Sequence, residues 1–222
     1  MNQSIEIRNV KHRLSTDSWL EIPELIINPG HNILVRAEAE SGLSTFLKLI
    51  SGVIPPESGA IRIFGEDLNY CNESIYQLIK KKISYVYQHG VMISNLTIQE
   101  NMLLTLNFHV NELSSSEKTN YINDFVKPFE ISHLLLKRPV ELTFMQRKLF
   151  GIIRSCLINP ELLVLDEPFQ NFDSEYTAKV ESILEKHIAQ GNRLIIGTTL
   201  KQSFHFVDRL IVFTDYLKQP TQ

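Results

Sequence analysis

Two stretches of this sequence carry residues that could handle a phosphate group. The first is Arg36-Ala37-Glu38-Ala39-Glu40-Ser41-Gly42-Leu43-Ser44-Thr45, set between an apolar run, Asn32-Ile33-Leu34-Val35, and a helical pattern from Phe46 to Ile50. Strand, loop and helix in that order let backbone amides at a helix N-terminus cradle an anion. The phosphate-loop pattern is G-x-x-x-x-G-K-[ST]. In that register the chain reads Ala37-x-x-x-x-Gly42-Leu43-Ser44: the second glycine and the hydroxyl are present, the first glycine is alanine and the lysine is leucine. The second stretch is Leu162-Leu163-Val164-Leu165-Asp166-Glu167. Four apolar residues bury a strand and two carboxylates emerge at its end, where the first suits Mg2+ and the next suits positioning or activating a water. A plain turn at a sheet edge, with Asp166 ordering the neighbouring loop, gives the same local pattern.

Positioning these residues requires strands alternating with helices. Ser4 to Val10 alternates and reads as an edge strand; Leu20 to Ile27 gives another, closed by the turn signal Asn28-Pro29-Gly30. Gly52 is placed to end the helix that follows the loop. A turn over Pro55-Pro56-Glu57-Ser58-Gly59 leads to a strand from Ala60 to Phe64, and Gln88 directly follows a strand from Ile83 to Tyr87. From Leu96 to about Pro139 apolar residues recur at helical spacing, with a helix start at Ser114-Ser115-Ser116-Glu117. Phe144 to Leu157 continues as helix, and the apolar strand to Leu165 reads as central in a parallel sheet. An amphipathic helix from Glu175 to Gln190 and strands Arg193–Gly197 and Arg209–Phe213 complete the chain. The expectation is an α/β fold of the P-loop NTPase type: a mainly parallel sheet, peripheral antiparallel strands and an inserted helical subdomain. One domain spans 1–222, with an α/β core from 1–92 and 158–222 and the helical part at about 93–157.

Composition narrows the function classes. A hydrophobic share of 43% supports a buried core, and a net charge of -3 lacks the basic face that nucleic acid requires, so no nucleic acid is expected. Cys71 and Cys156 stand far apart without ligand-spaced neighbours and read as reduced thiols. Met1 to Glu6 has neither a basic region nor an apolar core, so no signal peptide is expected, and no apolar run reaches the length that spans a bilayer.

Taken together, the motifs resemble the nucleotide-binding domain of ABC transporters over almost the whole length. Ile54-Pro55-Pro56-Glu57-Ser58-Gly59 with Gly65 beyond it is similar to the family's turn after the phosphate-loop helix. Tyr85-Val86-Tyr87-Gln88 resembles the Q-loop, and Leu96-Thr97-Ile98-Gln99-Glu100-Asn101 the segment after it. Pro160 to Phe169 closely matches the Walker B strand, Asn171-Phe172-Asp173 resembles the D-loop, and Val207 to Val212 the closing strand. The resemblance implies ATP as ligand, Mg2+ held by Ser44, Gln88 and Asp166, and Glu167 as the residue acting on water. It also implies an integral membrane permease and a second nucleotide-binding domain as partners, at the cytoplasmic face of the membrane.

The departures from the family pattern cluster where the nucleotide would lie. Leu43 replaces the lysine that reaches the β- and γ-phosphates, a charge contributing about 4 kcal/mol at about 4 Å and an effective dielectric of about 20. Glu40 replaces a glycine, with Glu38 close by, and both would repel a polyphosphate. The family's Leu-Ser-Gly-Gly-Gln signature reads Leu142-Thr143-Phe144-Met145-Gln146, so two side chains stand where backbone amides approach phosphate. Thr199 takes the place of the switch histidine, and the adenine-stacking aromatic aligns near Leu14. Trp19 and His205 are candidate substitutes for those two, with packing the favoured reading of Trp19 and a surface or boundary position that of His205. An impaired, pseudo-ATPase subunit is one expectation and a working transport ATPase the alternative. In the first, Glu38 or Glu40 folds onto the amides at Ser44 in place of phosphate, worth about 0.3–1 kcal/mol.

Overall fold

The computed structural model describes residues 4–213 and 217–218. In chain order the elements begin with β1 (Ile5–Ser15), β2 (Ser18–Ile27), β3 (Ile33–Arg36), α1 (Leu43–Ile50), β4 (Ser58–Ile63) and β5 (Glu66–Asp67). There follow α2 (Glu73–Lys82), β6 (Ile83–Val86), α3 (Ile98–His109), α4 (Ser115–Val126) and α5 (Phe144–Cys156). The last elements are β7 (Leu162–Asp166), α6 (Ser174–Ala189), β8 (Arg193–Thr198), β9 (Arg209–Val212) and β10 (Leu217–Lys218).

The chain divides into two compact units, the first comprising Met1–Tyr85, Leu162–Glu167 and Arg193–Gln222. It holds two sheets. One has the order β10-β2-β1-β4-β5, and its strand pairs are antiparallel. The other has the order β6-β7-β8-β3-β9, in which β3 runs parallel to β8 and β9, and β7 parallel to β8. Two of its strands are covered on both faces: every residue of β7 and of β8 is buried, whereas β9 at the edge is mostly exposed. Phe46, Leu47, Ile50 and Phe213 lie in the same core as the inward residues of β1, β2 and β4.

Two expectations change here. β1 is not an edge strand but lies between β2 and β4. Alternation reveals which face of a strand is buried and says nothing about how many edges are bonded. The inward residues Ile5, Ile7 and Val10 slip from a spacing of two to three at Asn9, whose φ of 50° marks an irregularity where the pairing with β4 shifts register. The second is an addition: α2 was not expected, yet Asn72 starts it by accepting a hydrogen bond from the Ile75 amide at 2.9 Å, and Ile75, Leu78 and Ile79 recur at helical spacing.

The second unit comprises Val86–Glu161 and Pro168–Asn192 and contains α3, α4, α5 and α6. It therefore takes in α6 as well as the inserted segment, because α6 packs on α5. Three of its helices open with a reciprocal capping box: Thr97 with Glu100, Ser114 with Glu117 and Thr143 with Gln146. Among the described residues no helix is long and apolar enough to cross a membrane.

Candidate functional site

In the first unit the residues singled out from the sequence meet at the carboxyl ends of neighbouring parallel strands. The phosphate loop leaves β3 beside β8, with Arg36 opposite Thr198 and the Ala37 amide donating to the Thr198 carbonyl at 3.1 Å. Asp166, at the end of β7, pairs in register with Gly197 of β8. The open end of a parallel sheet is where α/β folds bind ligands.

The loop departs from the family pattern in its side chains. Glu40 has a φ of 58° and Gly42 one of 82°, so a glutamate stands in left-handed conformation where the family has glycine. Leu43 opens α1 and turns inward: it is 6% exposed and belongs to the main core. Its Cδ1 lies 3.1 Å from where a Cβ on Gly197 would sit, and Leu47 presses on the same spot. Gly197 thus gives the helix room to approach β8. Leu14, from the end of β1, lies on Gly42, where an added Cβ would come within 2.5 Å of its Cδ1.

The expected carboxylate cap is absent. Glu38, Ala39 and Glu40 are exposed, and no side chain caps α1 at Gly42. Ser44 and Thr45 are half-buried, and Ser41 is buried with its hydroxyl oxygen unpartnered.

The paired carboxylates are held firmly. Glu167 is 4% exposed and sits at a φ of 49°. Its Oε2 accepts from the Thr198 hydroxyl at 2.9 Å and its Oε1 from the Thr199 amide at 2.6 Å, while its own amide donates to the Gly197 carbonyl at 2.9 Å. Thr199, at the switch-histidine position, therefore meets Glu167 through its backbone. Asp166 is 3% exposed; its Oδ2 accepts from the Tyr85 hydroxyl at 2.8 Å, and its Oδ1 is buried without a hydrogen-bond partner. Thr198 and Tyr85 were not singled out from the sequence. Their signal was a polar group at or near the end of an otherwise apolar strand.

The other sequence candidates lie in the second unit. The Gln88 side chain donates to the Gln170 side chain at 2.6 Å. In the signature stretch Leu142 is buried and Thr143 caps α5, accepting from the Gln146 amide at 3.2 Å while the Gln146 side chain accepts from the Thr143 amide at 3.0 Å. Phe144 and Met145 form the first turn of α5, and Phe144 meets the His89 ring at 5.7 Å. Asp173 caps α6 by accepting from the Tyr176 amide at 2.8 Å. Of the substitutes considered, Trp19 is half-buried with the Arg13 guanidinium 4.8 Å above its ring, and His205 is exposed beside Phe206.

These residues do not fit a nucleotide polyphosphate. The lysine position is part of the core, two exposed carboxylates stand on the loop, and a leucine covers its second glycine. Asp166 Oδ1 and Ser41 Oγ, both buried and unpartnered, have the donor chemistry that a small polar species such as water or a cation satisfies.

A family model described as ABC transporter matches residues 20–170. The chain is 30% identical over 187 residues to the ergothioneine transport ATP-binding protein of Helicobacter pylori, an alignment covering 84% of each chain. It is 26% identical over 217 residues to the sulfate/thiosulfate import ATP-binding protein of Pectobacterium atrosepticum, which takes in 94% of this chain and spans 63% of that relative's length. Among solved structures, the dimeric ATP-binding cassette MJ0796 bound to ADP and Pi superposes with a TM-score of 0.82 at 21% identity, covering 98% of this chain and 99% of that one. At that identity the likeness is one of fold. The family match runs from within β2 to beyond the paired carboxylates, and with it this chain belongs to the ABC transporter family and carries the α/β fold of its nucleotide-binding domains.

Proposed function

We propose that this chain is the ATP-binding-cassette subunit of a transport complex and that its own phosphate site is catalytically impaired. In that role it sits at the cytoplasmic face of a membrane, docked on an integral permease and paired with a second nucleotide-binding domain. The transport role is supported by the functions of its relatives, both ATP-binding proteins of transport systems. The impairment rests on Leu43: a buried leucine packed against β8 stands where a phosphate-binding cation would have to reach outward. Without that charge the loop lacks its main attraction for the β- and γ-phosphates, and with it the electrostatic stabilisation of the transition state.

The test is titration of the purified chain with a fluorescent ATP analogue and Mg2+, alone and with its membrane partner. The expected result is no saturable binding in either case. A working ATPase is the second reading, favoured by Asp166, whose buried Oδ1 is unpartnered and suited to a cation together with the Ser44 hydroxyl. Micromolar binding with turnover abolished by Glu167→Gln establishes that reading and removes the first. Purification of the native complex tests the partners: absence of any membrane protein in it would sink the transport role.

A further inference from the structure

We propose that the β1–β2 hairpin closes the phosphate loop from within, with Leu14 seated on Gly42 as an autoinhibitory contact. This rests on the impaired-site reading and adds to it a barrier separate from the missing lysine.

Leu14 is partly buried and packed against the main core. Both of its methyl groups lie on Gly42: a Cβ there would come within 2.5 Å of Cδ1 and 2.9 Å of Cδ2. Gly42 is the residue at which α1 begins, and its helix start has no side-chain cap. The first amides of a helix are open donors, and an anion reaches them only by direct approach. An apolar side chain laid across that approach keeps phosphate out and shields the amides from water.

Leu14 is also held where it is. Its neighbour Arg13 donates its amide to Glu57 Oε1 at 3.1 Å, and the Glu57 amide donates to the Lys11 carbonyl at 3.2 Å. The Arg13 guanidinium stacks over Trp19 on the facing strand, and the Ser15 and Ser18 hydroxyls pair at 2.7 Å across the turn. The turn after α1 and the cross-strand contacts therefore pin the hairpin end on both sides of Leu14. Repairing the loop chemistry alone leaves this cover in place.

The experiment compares four forms of the full chain in titrations with a fluorescent ATP analogue and Mg2+: unaltered, Leu14→Ala, the double variant Glu40→Gly/Leu43→Lys, and all three substitutions together. The expected result is that the triple variant binds at least about tenfold more tightly than the double variant. Equal affinity for double and triple variants overturns the proposal. Should neither bind, amide hydrogen exchange decides: Leu14→Ala speeds exchange at Gly42 to Thr45 by about tenfold or more, whereas Thr16→Ala at the exposed turn leaves it unchanged. Unchanged exchange in Leu14→Ala overturns it. Micromolar binding by the unaltered chain refutes the impaired site separately, and the cover then stands only if Leu14→Ala raises that affinity.

Discussion

The phosphate loop after β3 and the end of β7 lie on either side of β8 in one unit, and they depart from the family pattern to different degrees. At the loop the side chains depart from that pattern: Glu40 stands at a left-handed angle beside Gly42, and Leu43 lies in the core. At the strand end the side chains are kept. Asp166 and Glu167 remain, and both oxygens of Glu167 are bonded to the end of β8. The difference teaches that a carboxylate bonded to a strand end is tied to the fold, whereas a loop side chain is freer to change. Glu167 ties two strand ends together, so its removal has a folding cost. A loop lysine faces solvent and ligand, so its replacement by leucine trades a charge for buried apolar area.

The largest test of that contrast is Glu167→Ala. It strips partners from the buried Thr198 hydroxyl and the Thr199 amide, and is expected to destabilise the chain by about 3 kcal/mol in urea unfolding. A change near zero would mean the carboxylate is kept for chemistry, and the contrast would collapse. Next comes Leu43→Lys, which restores the family residue but puts an ammonium into a core position; it should cost about 2 kcal/mol by the same measurement. A neutral outcome would show that the loop never committed its leucine to packing. Glu40→Gly should act in the opposite direction, stabilising by about 1 kcal/mol, because glycine takes the left-handed angle without steric cost.

The smallest effect sharpens the comparison from outside both regions. Glu100 and Glu117 close capping boxes, and hydrogen bonds from Thr97 and Ser114 hold both carboxyls below their ordinary range. A depressed folded pKa stabilises above the unfolded value and loses that contribution as the pH falls through the folded one. Acid unfolding followed by circular dichroism should therefore show a modest loss beginning near the ordinary carboxylate range of about 4.5. The double variant Glu100→Gln/Glu117→Gln should flatten it. If the acid limb is unaltered, carboxylates joined to backbone amides do not matter to folding here, and the account of Glu167 weakens with it.

How much of this was legible depended on the kind of information asked for. Order along the chain was legible: the apolar run into Asp166-Glu167 and the strand before Ala37 are linear patterns, and the fold follows from their alternation. Direction was not. Position 43 is visible as a leucine, but that it turns toward Gly197 depends on a glycine far away in sequence. The idea that Glu38 or Glu40 would cap α1 failed for the same reason, since proximity in sequence does not set the course of a side chain. α2 was missed although its signals are there to read: Ile75, Leu78 and Ile79 recur at helical spacing behind the Asn72 cap. Leu14 was noticed only for the aromatic it is not; its contact with Gly42 requires knowing how the hairpin lies over the loop.

Glu40 carries a further consequence. A glutamate that holds a glycine's backbone angle sets the course of the loop while leaving its own side chain in water. At that position a side chain can be exchanged for glycine with no redesign of the main chain around it.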